Sequence, residues 1–210
     1  VVLGGDGTLN EVANGLVDSE TALAAIPGGS TNVFARTLGI PDDPIEATGV
    51  LLDSLEAGST HRIGLGSVNQ RYFLFHAGIG FDAAVVEQVE KKGGLLKRFA
   101  GHPLFVIAAI GTWLRYYDKK RPAFRISTRK MGDEEIGDLE TTGVEGLFSV
   151  CLNTDPYTYL GTRKISLAPH ANLDTPLAVV TFKNLTLKKL LPVILGALGM
   201  GKTCINNVMA

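Results

Sequence analysis

Gly4-Gly5-Asp6-Gly7-Thr8-Leu9-Asn10-Glu11-Val12-Ala13-Asn14-Gly15-Leu16 follows the apolar residues Val1-Val2-Leu3, and the change of character at Gly4 decides how the chain is read. Three apolar residues running into a glycine pair have the pattern of a short buried strand that ends in a tight turn. Beyond the turn, Leu9, Val12, Ala13 and Leu16 recur at helical spacing, which predicts a helix ending near residues 15–18. A strand, a glycine turn and a helix N-terminus in that order suit an anion. Glycines let backbone N–H groups approach it without side-chain obstruction, and the helix dipole favours its charge. Gly4, Gly5 and Gly7 would supply the approach, and Thr8 would cap the helix or donate its hydroxyl. Asn10, in the first helical turn, would reach the same ligand. A plain tight turn accounts for the glycines equally well. No Gly-Lys-Ser/Thr follows, so this is not a Walker loop, and the third glycine of the dinucleotide fingerprint is absent. Asp6 discriminates, because an acid among phosphate-binding amides is repelled by phosphate unless it holds Mg²⁺, takes a proton or orients a water.

The device recurs. Residues 22–26 read as a second strand, followed by Pro27-Gly28-Gly29-Ser30-Thr31-Asn32 and a helix over 31–38 that Gly39 and Pro41 stop. Ser30 is a natural cap, and Asn32 and Arg36 share one helix face, so Gly29, Ser30 and Asn32 join the candidate ligand contacts. Asp43-Pro44-Ile45-Glu46 opens a third helix with a capping acid and a proline at its first turn. Two adjacent strand ends, each opening into a glycine turn at a helix N-terminus, are where open α/β sheets bind nucleotides. The alternation of strand and helix predicts a parallel, doubly wound sheet.

The pattern changes near residue 60. Residues 61–65 and 71–75 are β-like around a turn at Val68-Asn69-Gln70, with further strands expected at 123–128, 146–152, 164–167 and 177–182. Helical patterns at 82–91 and 95–117 interrupt them, and 131–143 reads as an exposed loop or hairpin tip. The expected architecture is an α/β nucleotide-binding domain over 1–59, incomplete at its N-terminus, followed by a mainly antiparallel, sandwich-like β domain with helices over 60–210. A chain that opens without Met on a buried strand reads as truncated, and an unpaired sheet edge is then expected.

Composition narrows the classes. The 210 residues are 45% hydrophobic and 20% charged, with net charge −1, which gives no electrostatic case for nucleic acid. Cys151 and Cys204 make no spaced cluster with His61, His76, His102 and His170, so neither a disulfide framework nor a zinc site is expected, and a reducing cytoplasmic setting fits. His76, between Phe75 and Ala77, is expected in the core. The apolar runs at 103–114 and 190–200 are shorter than the roughly 20 residues a membrane span needs. Lys91, Lys92, Lys97 and Arg98 flank Gly93-Gly94 beside a stretch carrying Trp113, Tyr116 and Tyr117. This is either a solvated helix end over a buried stripe or a basic joint that docks on an anionic membrane.

Taken together, Gly4 to Leu16 resembles the hallmark of the diacylglycerol kinase catalytic-domain family, and Pro27-Gly28-Gly29-Ser30-Thr31-Asn32-Val33-Phe34-Ala35-Arg36 resembles its second nucleotide motif, with Ser30 in place of a common Thr. Gly78-Ile79-Gly80-Phe81-Asp82-Ala83 is similar to its third signature. The first motif alone is shared with NAD, sphingosine and ceramide kinases. The resemblance implies an ATP-dependent kinase that moves the γ-phosphoryl of ATP to the hydroxyl of diacylglycerol and gives phosphatidic acid. Sphingoid-base or ceramide phosphorylation, or a catalytically weakened binder of nucleotide or lipid, is the alternative. It further implies ATP on Gly5, Asp6, Gly7, Thr8, Asn10 and Ser30, and Mg²⁺ as cofactor. Asp6 is the base in sphingosine-kinase-like relatives, whereas in bacterial diacylglycerol kinases an acid late in the domain, beyond Ala210 here, serves instead. Asp82 would hydrogen-bond the lipid hydroxyl or simply cap a helix. Asp174-Thr175-Pro176-Leu177 matches the family's structural Mg²⁺ stretch without its glycine, and Val33 and Gly64 stand where relatives often carry acids. A cytoplasmic protein that visits the membrane surface for a diacylglycerol-like lipid is the setting implied, with a homodimer left open.

Overall fold

The computed structural model describes residues 1–81, 124–127 and 143–186, with positions 83–85, 87, 111, 113, 188, 196, 208 and 209. The chain opens with β1 (Val2–Gly4), α1 (Asp6–Leu16), β2 (Ala25–Pro27), the short α2 (Val33–Thr37) and α3 (Pro44–Glu56). β1 and β2 are parallel, with Val2 opposite Ala25 and Gly4 opposite Pro27. One step past that ladder the Gly28 N–H donates to the Gly4 carbonyl at 3.0 Å. α1 buries Leu9 and Ala13, one turn apart on a single face. α3 starts as its sequence predicts. The Asp43 carboxylate accepts from the Ile45 and Glu46 amides at 2.8 and 3.0 Å, and Pro44 fills the first position, where its missing N–H loses no helical bond.

Antiparallel pairing follows. β3 (Gly66–Val68) and β4 (Arg71–Phe73) form a hairpin whose turn residues Asn69 and Gln70 have φ of 48° and 66°, the doubly positive pattern of a type I′ turn. β5 (His76–Gly80), β8 (Phe148–Leu152), β11 (Ala178–Phe182) and β12 (Val208–Met209) make a four-stranded antiparallel sheet in the order β12-β11-β8-β5. β6 (Phe124–Ile126) pairs with β7 (Val144–Gly146), and β9 (Thr158–Leu160) with β10 (Arg163–Ile165).

The expected change from parallel to antiparallel order is present, although among the described residues the parallel part is the single pair β1–β2. Two local expectations are corrected. Residues 61–65 lie outside any ladder, because Ile63 and Leu65 pack into an apolar cluster instead, and pairing begins at Gly66. Gly78-Ile79-Gly80, where no strand was expected, is the body of β5, with Gly78 opposite Val150 and Gly80 opposite Phe148. β9 carried no clear alternating pattern and was not expected. Asp82, Lys91, Lys92, Lys97, Arg98, His102, Tyr116, Tyr117 and Cys204 lie outside the described residues, as does the stretch 131–142. Trp113 turns its polar edge inward, with the indole N–H donating to the Leu185 carbonyl at 2.7 Å.

One apolar cluster joins Leu9, Ala13, Ala25, Phe34, Ala35 and Leu74, and Ile63, Leu65, Phe75 and Leu173 pack on it, so residues from both sides of position 60 share it. Leu9 and Leu74 are fully buried, each stabilising by about 1.5–3 kcal/mol. A second cluster, centred on Val150, Leu152 and Val180, fills one face of the four-stranded sheet.

His76 is held between aromatic rings, edge-on to Phe75 at 4.8 Å and tilted against Tyr157 at 4.6 Å. Burial lowers its pKa from 6.5 to about 4, so the folded chain keeps the imidazole neutral where the unfolded chain protonates it. The unfolded state therefore binds more protons in that window, and stability falls as pH drops from 6.5 towards 4. The loss is on the order of 2–3 kcal/mol. Urea unfolding of His76→Phe across this range should show a flatter pH dependence than the parent; an unchanged slope would contradict the assignment.

Candidate functional site

The two glycine turns touch backbone to backbone. A Cβ at Gly29 would lie 2.6 Å from Gly5 Cα, one at Gly28 would lie 2.9 Å from Gly4 N, and one at Gly5 would lie 3.1 Å from Gly29 Cα. None of these glycines has a positive φ, so the requirement is steric. Gly4 is covered from the other side by the Thr8 side chain, whose Cβ would be 2.8 Å from an added Cβ. Gly7 has open space around it.

α1 begins earlier than the Thr8 cap would require. Gly5 is the N-cap, with no side-chain capping bond, and the first helical bond runs from Leu9 N–H to the Gly5 carbonyl at 3.1 Å. Thr8 therefore sits inside the first turn, and the amides of Asp6, Gly7 and Thr8 belong to the set that a helix start leaves without intrahelical acceptors.

Ser30 is likewise not the cap of α2. That position is held by Asn32, at φ 51° and ψ 46° in the left-handed region that asparagine tolerates. Its side chain folds the loop back on itself: Oδ1 accepts from Gly29 N–H at 2.8 Å, and Nδ2 donates to the Gly29 carbonyl at 3.0 Å and to Asp42 Oδ1 at 2.8 Å. Asn32 is 3% exposed, so its amide organises the loop from within. The missing cap for α2 comes from the neighbouring turn, where Asp6 Oδ1 accepts the Phe34 N–H at 3.0 Å. Asp6 thus does for α2 what a local Ser or Asp does for an ordinary helix.

Asn10 is reassigned. Its Oδ1 accepts from Leu74 N–H at 3.1 Å and its Nδ2 donates to the Tyr72 carbonyl at 3.2 Å, so its amide is committed to the edge of β4. Asn14, one turn on, exchanges bonds of 2.8 and 2.9 Å with Tyr72 in the same manner. The Asn-x-x-x-Asn spacing on α1 is a sheet-docking device, imitating a strand's alternation of donor and acceptor.

Gly4, Gly5, Asp6, Gly7 and Thr8 are thus brought together with Gly28, Gly29, Ser30 and Asn32, while the Asn10 amide is bonded to Tyr72 and Leu74. Asp174 belongs to another loop, where its carboxylate meets His61 Nε2 at 3.0 Å, the side chains 70% and 67% exposed. The Leu173 carbonyl accepts from Gly64 N–H and the Ala171 carbonyl from Asp155 N–H, so the neighbouring oxygens are engaged. Among the described residues no three His, Cys, Asp or Glu side chains converge on a metal position. Asp174 brings a single carboxylate, shared with the His61 imidazole. Asp42 was not anticipated as a site residue. The Gly-x-x-Asn spacing could have signalled the Asn32 turn, whereas nothing local points to Asp42.

Against this geometry, the diacylglycerol kinase catalytic domain is matched by residues 1–68. The diacylglycerol kinase of Bacillus subtilis (strain 168) is 46% identical over 83 residues, which is 38% of this chain and 26% of that protein. The diacylglycerol kinase of Staphylococcus carnosus (strain TM300) is 36% identical over 103 residues, 48% of this chain and 31% of that protein. These matches span about a quarter to a third of the relatives' length. The crystal structure of a diacylglycerol kinase from Bacillus anthracis str. Sterne superposes with a TM-score of 0.56 at 23% identity, covering 90% of this chain and 56% of that one, a likeness of fold.

Overpacking two backbones should cost about 1–3 kcal/mol, so Gly29→Ala is expected to lower the urea midpoint. Gly7→Ala, in a helix with open space, should hold the midpoint or raise it, with stability up by as much as about 1 kcal/mol. The opposite ranking of the two variants would refute the contact.

Proposed function

We propose that the chain, whose residues 1–68 match the diacylglycerol kinase catalytic domain, carries the nucleotide-holding machinery of an ATP-dependent lipid kinase. In this reading the γ-phosphoryl of ATP passes to the hydroxyl of diacylglycerol, giving phosphatidic acid. Residues 1–59 form the nucleotide domain and 60–210 the β-rich lipid domain, in a cytoplasmic protein that meets the membrane through Lys91, Lys92, Lys97 and Arg98. The single observation that carries the reading is the abutment of the two glycine turns around Asp6.

The chain's own groups divide the work. Amides at the start of α1 and the exposed hydroxyls of Thr8 and Ser30 donate hydrogen bonds to the phosphate oxygens, while Gly28 and Gly29 provide the clearance. Mg²⁺ bound with ATP supplies charge neutralisation, since phosphoryl transfer rests on positioning and electrostatics. Asp6 is anchored through Oδ1 by the Phe34 N–H, and its second oxygen takes the proton of the acceptor hydroxyl. The hydroxyl oxygen then bonds to the γ-phosphorus as the bond to the β–γ bridging oxygen breaks, and ADP leaves. Asp82 orients the acceptor. Asp174 carries no step.

A second reading, of a relative with weakened catalysis, is favoured by one observation: Val33, standing where relatives often carry an acid, is buried at the start of α2.

A labelled-ATP assay on the full-length protein with diacylglycerol, sphingosine, ceramide and NAD decides between them. Label is expected on diacylglycerol. Asp6→Asn keeps an acceptor for the Phe34 N–H and should fold, while turnover falls by about 10²- to 10⁴-fold. Label on no lipid, or undiminished turnover by the variant, would overturn the reading.

A further inference from the structure

α2 is five residues long, too short to hold its shape from within, and yet it carries the second glycine turn. Its start is held by Asp6. Its end is held from far along the sequence. The Arg36 guanidinium lies over the Tyr159 ring at 3.5 Å from the centroid, and its Nη1 donates to the Gly161 carbonyl at 3.1 Å. The same nitrogen reaches back to the Thr31 carbonyl, inside the glycine turn, at 3.4 Å. Tyr159 is 3% exposed, so the ring that Arg36 covers is fixed in the fold.

These contacts join two rigid parts. Gly161, at φ 60°, opens the two-residue turn between β9 and β10, which presents its carbonyl at a fixed place. The base of that hairpin is tied into the second apolar cluster: Tyr157 N–H donates to the Ile165 carbonyl at 2.9 Å, and both side chains pack against that cluster. We propose that Arg36 is a positioning residue which clamps the Gly28–Asn32 turn to the β9–β10 hairpin and so holds that turn in its ligand-binding shape. The proposal rests on the nucleotide reading of the site.

The chemistry asks for arginine. A planar guanidinium stacks on a ring face and directs N–H groups at carbonyls in its own plane; an ammonium keeps the charge but loses the plane and the fork. The ring is needed for its face, so phenylalanine should replace Tyr159 with little loss and leucine should not. A guanidinium acting only as a positive charge near phosphate would behave otherwise: lysine would replace Arg36, and Tyr159 would be immaterial.

The test uses the full-length protein and its Arg36→Met, Arg36→Lys, Tyr159→Leu and Tyr159→Phe variants, each first shown to keep the parent circular-dichroism spectrum. Affinity for Mg·ATP is read by calorimetry and amide exchange over residues 29–38 by mass spectrometry. Arg36→Met, Arg36→Lys and Tyr159→Leu should bind ATP about tenfold more weakly and exchange faster in that segment, while Tyr159→Phe stays near the parent. In steady-state assays the loss should fall on KM for ATP and spare KM for the lipid. Parent-like affinity in Arg36→Met, or in Arg36→Lys, would overturn the clamp, and so would unchanged exchange. A parent protein that binds no ATP would instead sink the nucleotide reading, and the exchange comparison would then decide the clamp by itself.

Discussion

Gly5 and Gly29 meet so closely that a side chain on Gly29 would clash and one on Gly5 would be tight, and the rest of the site follows from that contact. Because β1 and β2 are parallel neighbours, their ends open at the same edge, and a βα turn leaves each one. In an ordinary sheet the two turns would be kept apart by their side chains. Here the Gly28 N–H extends the ladder to Gly4, and the next residues close to van der Waals distance. The starts of α1 and α2 are thereby brought side by side.

That proximity gives Asp6 its place. An acid at the head of α1 would be repelled by phosphate if it had no other partner, but the start of α2 lies within reach and the carboxylate caps it. The same acid therefore holds the second turn in position. The second turn is braced again from within by Asn32 and Asp42, and from beyond by Arg36 against the hairpin turn at Gly161. A five-residue helix needs this much outside support, and each support comes from a different part of the chain.

What the sequence made legible was local. The glycine turns, the Asp43-Pro44 helix start and the Asn69-Gln70 reversal each depend on residues within a few positions of one another, and each formed where its pattern lay. The failures share the opposite property. β5 was hidden because glycines at alternate positions erase the in–out pattern that marks a strand. Asn10 was read as a ligand contact because its true partners, Tyr72 and Leu74, are more than sixty residues away. Arg36 and Gly161 are 125 residues apart, a separation across which no spacing rule operates. His61 gave no sign of its pairing with Asp174, 113 residues on. The family resemblance singled out the two glycine turns, but which side chains hold them together became visible only in three dimensions.

The central claim is that the two turns act as one phosphate-binding unit joined by Asp6. It is tested most directly by titrating the full-length, ¹⁵N-labelled protein with Mg·ATP and following backbone amide shifts. The account predicts that Gly7, Thr8 and Ser30 shift together with a single dissociation constant, and that Asp6→Ala uncouples Ser30 from the other two. Separate constants for the two turns in the parent protein, or a response confined to one of them, would contradict it.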